Sequence, residues 1–172
     1  WWTVDRWLLA SLTGLMVLGL VLTLAGSPPV AERLGLPTFH FVNRQVIYLI
    51  PAAVLIIATS FLSPRLVRRA ALLVFCAAMA LVIAAILFGV EVKGAKRWIF
   101  GIQPSEFVKP AFVILAAWAF SEGARRRDVP ANLMALLLLP ATIVPLILQP
   151  DFGQTMLISL VWAALFFMAG LH

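Results

Sequence analysis

Residues 71–90 read ALLVFCAAMALVIAAILFGV and contain no charged side chain. Leu, Ala, Val and Ile fill most positions, without the alternation of polar and apolar residues that a membrane β-strand shows. About 20 residues of α-helix span about 30 Å, the thickness of the hydrocarbon core of a bilayer. The stretch therefore predicts a membrane-spanning helix that is apolar on every side.

Similar apolar runs, separated by charged or Pro/Gly-rich segments, predict six spans. They are residues 7–25, 45–62, 71–90, 105–121, 133–149 and 153–170. The composition agrees, because 63% of the residues are hydrophobic and 12% are charged, against about 25% charged in soluble domains. We predict an all-α fold, a polytopic transmembrane helical bundle that forms one membrane domain over residues 1–172.

The ends of the chain are unusual for a complete membrane protein. It starts WWTVDRW, without a methionine, and it stops at GLH, just past the sixth predicted span. We therefore expect the chain to be a fragment of a longer protein.

Several classes of site are excluded by what the sequence lacks. Cys76 is the single cysteine, and His40 and His172 are far apart, so neither a disulfide framework nor a Cys/His metal cluster is expected. No Gly-rich phosphate loop or hydrolase motif occurs. The pI is near 10.8, but the basic residues lie between spans, where they set topology and meet anionic lipid rather than nucleic acid.

Arginines in two loops orient the predicted spans. SPRLVRR (63–69) follows the second span, and SEGARRRDVP (121–130) follows the fourth, on the same side of the membrane. Because positive charge accumulates in cytoplasmic loops, we expect both ends of the chain in the cytoplasm. Segments 26–44, 91–104 and 150–152 are then external.

The external segment 91–104 carries a basic cluster, Lys93, Lys96 and Arg97, which runs against this charge bias. Two explanations remain open. Trp98 beside cations is typical of a loop anchored at the membrane surface. Alternatively, cations near a helix N-terminus form a site for an anion such as phosphate.

The fourth span contains a charged pair near its start. Pro104 is suited to the beginning of a helix, and Glu106 in the first turn interacts favourably with the helix dipole. Lys109 gains nothing from that dipole, but it lies three residues after Glu106, close enough to pair. Pro110 leaves the Glu106 carbonyl without its usual donor, which favours a kink. The pair either links this helix to a neighbour or contacts substrate.

The fifth span and its end carry further polar and helix-bending residues. Pro140 and Pro145 predict a bent or broken helix, a feature that often accompanies a central cavity. Asp151 and Gln154 have the spacing of a capping box at the start of the sixth span. A role of Asp151 in orienting the region of Arg97 is the alternative.

Two motifs carry a family resemblance. GAKRWIFGIQPSEFVKP (94–110) together with LQPDFGQT (148–155) closely resembles the SEDS family of bacterial membrane proteins, which includes FtsW, RodA and SpoVE. The resemblance extends across essentially the whole chain and is greatest to the FtsW branch.

The resemblance implies an activity and a location. SEDS proteins are ten-span glycosyltransferases of the inner membrane that polymerise lipid II into peptidoglycan strands, and the FtsW branch works at the division site. Their partners are a class B penicillin-binding protein and other division-machinery proteins. This chain is similar to their first six spans. The family's catalytic aspartate lies in a loop after the seventh span, so no catalytic residue is expected in this fragment.

The resemblance also assigns roles to residues. Arg97 matches an arginine associated with lipid-substrate handling, and with Lys96 it is expected to contact the lipid II pyrophosphate. Glu106 and Lys109 match an ion pair in a central cavity. The expected supporting residues, which hydrogen-bond or bend helices within the bundle, are Gln103, Pro104, Pro110, Gln149 and Asp151.

The sequence identifies no cofactor and no metal site, although the resemblance allows a divalent cation, Mg²⁺ or Mn²⁺, at the leaving group. A lipid II flippase is one alternative function, since bent helices, an intramembrane ion pair and a basic external loop would suit it equally. A scaffold that only binds division-machinery proteins is another. We expect contact with the lipid bilayer and none with nucleic acid.

Overall fold

The computed structural model describes residues 5–92, 94–99, 101–126 and 130–170. Its elements in chain order are α1 (Arg6–Gly26), α2 (Pro28–Arg33), α3 (His40–Ser60), α4 (Pro64–Phe88), β1 (Val90–Val92), β2 (Ala95–Trp98), α5 (Ser105–Arg125), α6 (Ala131–Leu148) and α7 (Phe152–Met168). The chain divides into two compact units, Trp1–Leu62 and Ser63–His172. The single membrane domain expected from the sequence stays a prediction.

Length and apolar composition show which helices suit a bilayer. Within the described residues, five helices are long and apolar enough to cross a membrane, namely α1, α3, α4, α5 and α6. Helix α7 is apolar but has only 17 residues. The predicted fold class, a helical bundle of a multi-pass membrane protein, is confirmed, and the sixth span stays a prediction.

The first unit contains α1, α2 and α3, with α1 packed against the other two. The Asp5 carboxylate caps α1 by accepting hydrogen bonds from the backbone N–H groups of Trp7 (2.9 Å) and Leu8 (3.2 Å). Helix α2 lies in a segment expected only as a connection. Its first position is Pro28, whose fixed φ and missing N–H suit the first turn of a helix.

The second unit is built around α5, which packs against α4, α6 and α7. Phe112 of α5 is fully buried against Leu146 of α6 and Ile158 of α7. One turn earlier, Val108 is buried with Val82 of α4. Three neighbouring helices therefore fix the position of the N-terminal half of α5.

Prolines lie inside two helices of this unit without breaking them. Pro110 is within α5, and Pro140 and Pro145 are within α6, each of which is one continuous helix. Proline is tolerated in membrane helices because neighbouring groups can supply hydrogen-bond partners to the carbonyl that it leaves unpaired. The sequence predicted that the fifth span would be bent or broken. This span is α6, and it is not broken.

A β-hairpin follows α4, where the sequence predicted only an external connection. Strands β1 and β2 pair antiparallel, with Val90 opposite Trp98 and Val92 opposite Ala95. Gly94 in the turn has a φ of 80°, which favours glycine. A glycine between two runs that contain β-branched and aromatic residues is a hairpin signal, but here the runs are very short. The basic segment is thus a folded ribbon.

Candidate functional site

Arg97 lies on β2 and is directed at the turn between α6 and α7. Its Nε donates to the carbonyl of Gln149 (3.3 Å), and one terminal nitrogen donates to the carbonyl of Pro150. The other terminal nitrogen lies 3.6 Å from the Asp151 carboxylate. The Arg97 side chain remains 33% exposed. These contacts attach the hairpin to the α6–α7 turn.

Lys96, the other expected pyrophosphate contact, is placed differently. Along β2, Ala95 is buried, Lys96 is exposed and Arg97 is half-buried. Successive side chains of a strand point to opposite faces, so Lys96 and Arg97 are directed to opposite sides of the hairpin. Lys93, the third cation of the basic cluster, lies outside the described residues. The structure does not place Lys96 and Arg97 side by side.

Gln149 also links the α6–α7 turn to the hairpin, but here the side chain comes from the turn and the backbone acceptor from the hairpin. Its side chain is almost completely buried, with 2% of the residue exposed. Its Nε2 donates to the carbonyls of Lys96 (3.1 Å) and Val82 (3.2 Å). The Gln149 side chain thus binds the hairpin backbone, and the Arg97 side chain binds the backbone of the α6–α7 turn. We call these contacts of Arg97, Gln149 and Asp151 the hairpin clamp.

Replacing Gln149 with Leu, which has a similar volume, is expected to loosen the hairpin. The change removes one buried and one partly buried hydrogen bond and leaves the Lys96 carbonyl without this donor, at a cost of about 1–3 kcal/mol. Hydrogen exchange of the amides of residues 95–98 in the full protein should accelerate.

The matched control for that experiment is Gln154→Leu. Gln154 also carries an amide close to the α6–α7 turn, but its Nε2 donates to Glu106 and not to the hairpin. Its loss should leave exchange at residues 95–98 unchanged. If both variants protected the hairpin equally well, Gln149 would have no part in holding it.

Asp151 is buried at the start of α7, with 5% of the residue exposed. Its carboxylate accepts a hydrogen bond from Gln103 Nε2 (3.3 Å) and lies beside Arg97. It makes no capping bond to α7, so the predicted capping box with Gln154 is wrong. A guanidinium attracts a buried carboxylate more strongly than a neutral backbone N–H does, which accounts for the difference. The geometry corresponds to the alternative hypothesis, in which Asp151 orients Arg97.

The start of α5 extends this network. Gln103 Nε2 donates to Ser105 Oγ (3.1 Å) as well as to Asp151. Pro104 and Ser105 are both buried, and Pro104 occupies the N-cap position of α5. No role was predicted for Ser105, although its position between Pro104 and Glu106 indicated a polar residue at the start of the helix. Gln103 thus connects the α6–α7 turn to the helix that carries the charged pair.

Glu106 and Lys109 form an ion pair on α5, with 2.7 Å between Oε2 and Nζ. The second Glu106 oxygen accepts from Gln154 Nε2 of α7 at 2.8 Å, a contact that sequence reasoning missed. The Lys109 side chain is 25% exposed and that of Glu106 is 52% exposed. The pair therefore links α5 to α7 on one side and leaves part of the carboxylate accessible on the other.

The ionised groups of this region are largely matched to one another. Asp151 faces Arg97, and Glu106 faces Lys109. Lys96 forms no ion pair within the described part of the chain. Chemically, the arrangement offers an exposed ammonium on a firmly attached hairpin, which suits contact with an anion at the membrane surface.

These features define the class of protein: a multi-pass helical membrane protein with a polar network, built from a hairpin and helix ends, beside an ion pair near the start of α5. Comparison with known families gives the particular one. Residues 6–172 match the family model of FtsW, RodA and SpoVE, described as "Cell cycle protein". The chain belongs to this family.

Curated relatives agree. The chain is 44% identical over 99% of its length to a protein of Caulobacter vibrioides named "Probable peptidoglycan glycosyltransferase FtsW". Proteins with the same name in Hydrogenovibrio crunogenus and Escherichia coli O6:H1 are 32% and 30% identical over 98% and 96% of the chain. The chain covers 45%, 45% and 42% of these three relatives, so it spans less than half of their length. No solved structure matches it.

Proposed function

We propose that the protein is a peptidoglycan glycosyltransferase that joins lipid II units into glycan strands during bacterial cell division. The relatives carry the name of that activity. Because the chain spans less than half of their length, the activity belongs to the full protein. The observation that carries the proposal within this chain is the exposed Lys96 on a hairpin whose backbone is held by Gln149 and Arg97.

The hairpin supplies the contact with the lipid II pyrophosphate. Lys96 provides the accessible ammonium, on the face of the hairpin opposite to Arg97. The clamp fixes the backbone beneath Lys96, so that less conformational entropy is lost when an anion binds. Arg97 acts mainly by positioning the hairpin, because its guanidinium binds the carbonyls of Gln149 and Pro150 and lies beside the Asp151 carboxylate.

The orientation follows from the arginines at the opposite ends of the helices. Arg65, Arg68 and Arg69 lie at the start of α4, and Arg125 lies at the end of α5. The positive-inside rule places these ends in the cytoplasm and the hairpin on the external face of the inner membrane. Lipid II with its disaccharide outside would then meet the hairpin at the membrane surface. A class B penicillin-binding protein is the proposed partner at the division site.

In the proposed reaction, a carboxylate deprotonates the C4 hydroxyl of the acceptor sugar, which attacks the donor sugar as the lipid pyrophosphate leaves. Positive side chains stabilise the negative charge that develops on the leaving group. Asp151 and Glu106 are not assigned as the base, because each already neutralises a neighbouring cation. The base is supplied by a part of the full protein beyond this chain.

A divalent cation does not fit Asp151 or Glu106. Asp151 is buried against Arg97 and Gln103, and Glu106 is bound by Lys109 and Gln154. Among the described residues, no group of three or more His, Cys, Asp and Glu side chains lies together. Neither carboxylate is therefore assigned as a metal ligand in the proposed reaction.

Replacing Lys96 with Ala is expected to weaken lipid II binding by the full protein about tenfold, the effect of one charge-assisted hydrogen bond. The backbone carbonyl that Gln149 binds is retained in this variant, so the clamp is unaffected. Binding can be followed by titrating the detergent-solubilised protein with fluorescent lipid II.

Arg126→Ala is the matched control, since it also removes one positive charge. Arg126 lies just past the end of α5, where it pairs with Glu122 and is mostly exposed. Its replacement should change lipid II affinity by less than about twofold. Equal losses in the two variants would mean that only net charge matters and that the hairpin is not the binding site.

Reconstituted activity separates the proposed enzyme from its two alternatives. Proteoliposomes that contain the full protein, its class B partner and lipid II in the accessible leaflet should yield glycan strands. Transfer of lipid II across the bilayer without polymer would indicate a flippase instead. If the Lys96 variant supported division as well as the unmodified protein and no polymer formed in vitro, a scaffold would be the better description.

A further inference from the structure

A cavity of about 610 Å³ lies in the first unit, between α1 and α3. Its walls change in character along α3. Arg44 and Gln45 line one end, close to the N-terminus of the helix, and Leu49 and Ala52 line the other. At 1.5 Å per residue, the distance from Arg44 to Ala52 along the helix is about 12 Å. The cavity thus has a cationic, polar end and an apolar end.

Arg44 also borders a second cavity of about 450 Å³, together with His40, Asn43 and Tyr48. Its guanidinium carbon lies 5.9 Å from the centre of the Tyr48 ring, one turn further along α3. This cation–π contact holds the guanidinium near the ring. Two adjoining cavities therefore share one arginine and one tyrosine at the polar end of α3.

Arg44 forms no ion pair with any residue that the structure describes. Three ion pairs occur among the described residues, and all lie in the second unit. Arg44 is the fifth residue of α3, so it gains no stabilisation from the helix dipole, which favours cations only at the C-terminal end. In a membrane helix the nearest anions at such a position are the phosphates of lipid headgroups.

We propose that the cavity between α1 and α3 binds an anionic glycerophospholipid, with its phosphate on Arg44 and one acyl chain along Leu49 and Ala52. A planar guanidinium recognises two phosphate oxygens at once, and the Gln45 amide is available as a further donor. Thr23 of α1 lines the opposite side. This site lies wholly within the first unit and does not depend on the proposed glycosyltransferase activity.

Native mass spectrometry of the delipidated full protein, titrated with phosphatidylglycerol, tests the site. Arg44→Ala is expected to weaken binding of the first phosphatidylglycerol about tenfold, and Arg44→Lys should restore only part of it, because an ammonium lacks the planar fork. Arg33→Ala is the matched control. Arg33 is an exposed cation in the last turn of α2, it lines neither cavity, and its loss should have less than a twofold effect, about that of a surface charge.

A second variant tests the apolar end without changing any charge. Ala52→Trp fills the space assigned to the acyl chain, so it should also weaken phosphatidylglycerol binding, while far-UV circular dichroism confirms that the helices persist. Equal losses in the Arg44 and Arg33 variants, or full binding by Ala52→Trp, would overturn the proposal. So would displacement of phosphatidylglycerol by millimolar inorganic phosphate or by equimolar undecaprenyl phosphate.

Discussion

Replacing Arg97 with Ala is expected to lower the free energy of unfolding of the full protein by about 3 kcal/mol, the low end of the range for a buried charge that loses its partner. The affected charge is Asp151, which stays buried with only Gln103 as a side-chain donor. The low end applies because Arg97 is itself one-third exposed. Equilibrium unfolding in mixed micelles, with helical content as the signal, measures the change.

Two further variants separate charge from geometry at this position. Adding Asp151→Asn to Arg97→Ala should recover part of the lost stability, since the unpaired carboxylate is then gone. Arg97→Lys keeps the charge but cannot reach two carbonyls and a carboxylate together, so it should remain destabilised. Full rescue by Lys would show that Arg97 acts as a charge and not as a clamp.

Arg126→Ala provides the stability control. Arg126 and Glu122 form an ion pair at 3.4 Å, and the Arg126 side chain is 64% exposed. An exposed pair of this kind contributes at most about 0.5–1 kcal/mol. A loss as large as that of Arg97→Ala would contradict the view that burial decides the effect.

The second large effect concerns the ion pair of α5. Glu106→Gln is expected to be the more damaging single change, because it leaves Lys109, whose side chain is three-quarters buried, without its carboxylate. A charge left unpaired in the membrane costs up to about 2.5–3.5 kcal/mol at the bilayer centre and less towards its edge. Lys109→Met leaves Glu106, which is half-exposed and keeps its bond from Gln154, so it should cost less.

A double-mutant cycle measures the coupling between the two residues. Glu106→Gln combined with Lys109→Met should cost less than the sum of the single changes, in unfolding free energy and in glycan synthesis. The Glu122 and Arg126 pair at the other end of α5 serves as the reference cycle, and its coupling should be near zero. Strict additivity at Glu106 and Lys109 would mean that they act separately.

The long helices could be predicted because their causes are local. A run such as residues 71–90 is apolar for the length of a membrane crossing, and it lies within α4 to within a few residues. The pair of Glu106 and Lys109 is local in the same sense, because residues three apart share one side of a helix. The hairpin was missed because its strands are only three and four residues long.

The partners of Asp151 could not be predicted in this way. The spacing of Asp151 and Gln154 favours a capping box when only four residues are considered. In the folded chain, Arg97 approaches from 54 positions earlier, and Gln103 from 48 positions earlier. Gln154 is drawn to Glu106 instead. A local rule therefore failed where a more distant charge was available.

The sequence by itself determined that this protein is a helical membrane protein, where its charges lie, and which family it belongs to. These properties depend on apolar length, on spacing within a helix and on short motifs. Only the tertiary structure decided that Arg97 and Gln149 hold the hairpin and that Lys96 stays exposed on it. Contacts between residues about 50 positions apart form when α4, α6 and α7 pack around α5, and no local pattern encodes that packing.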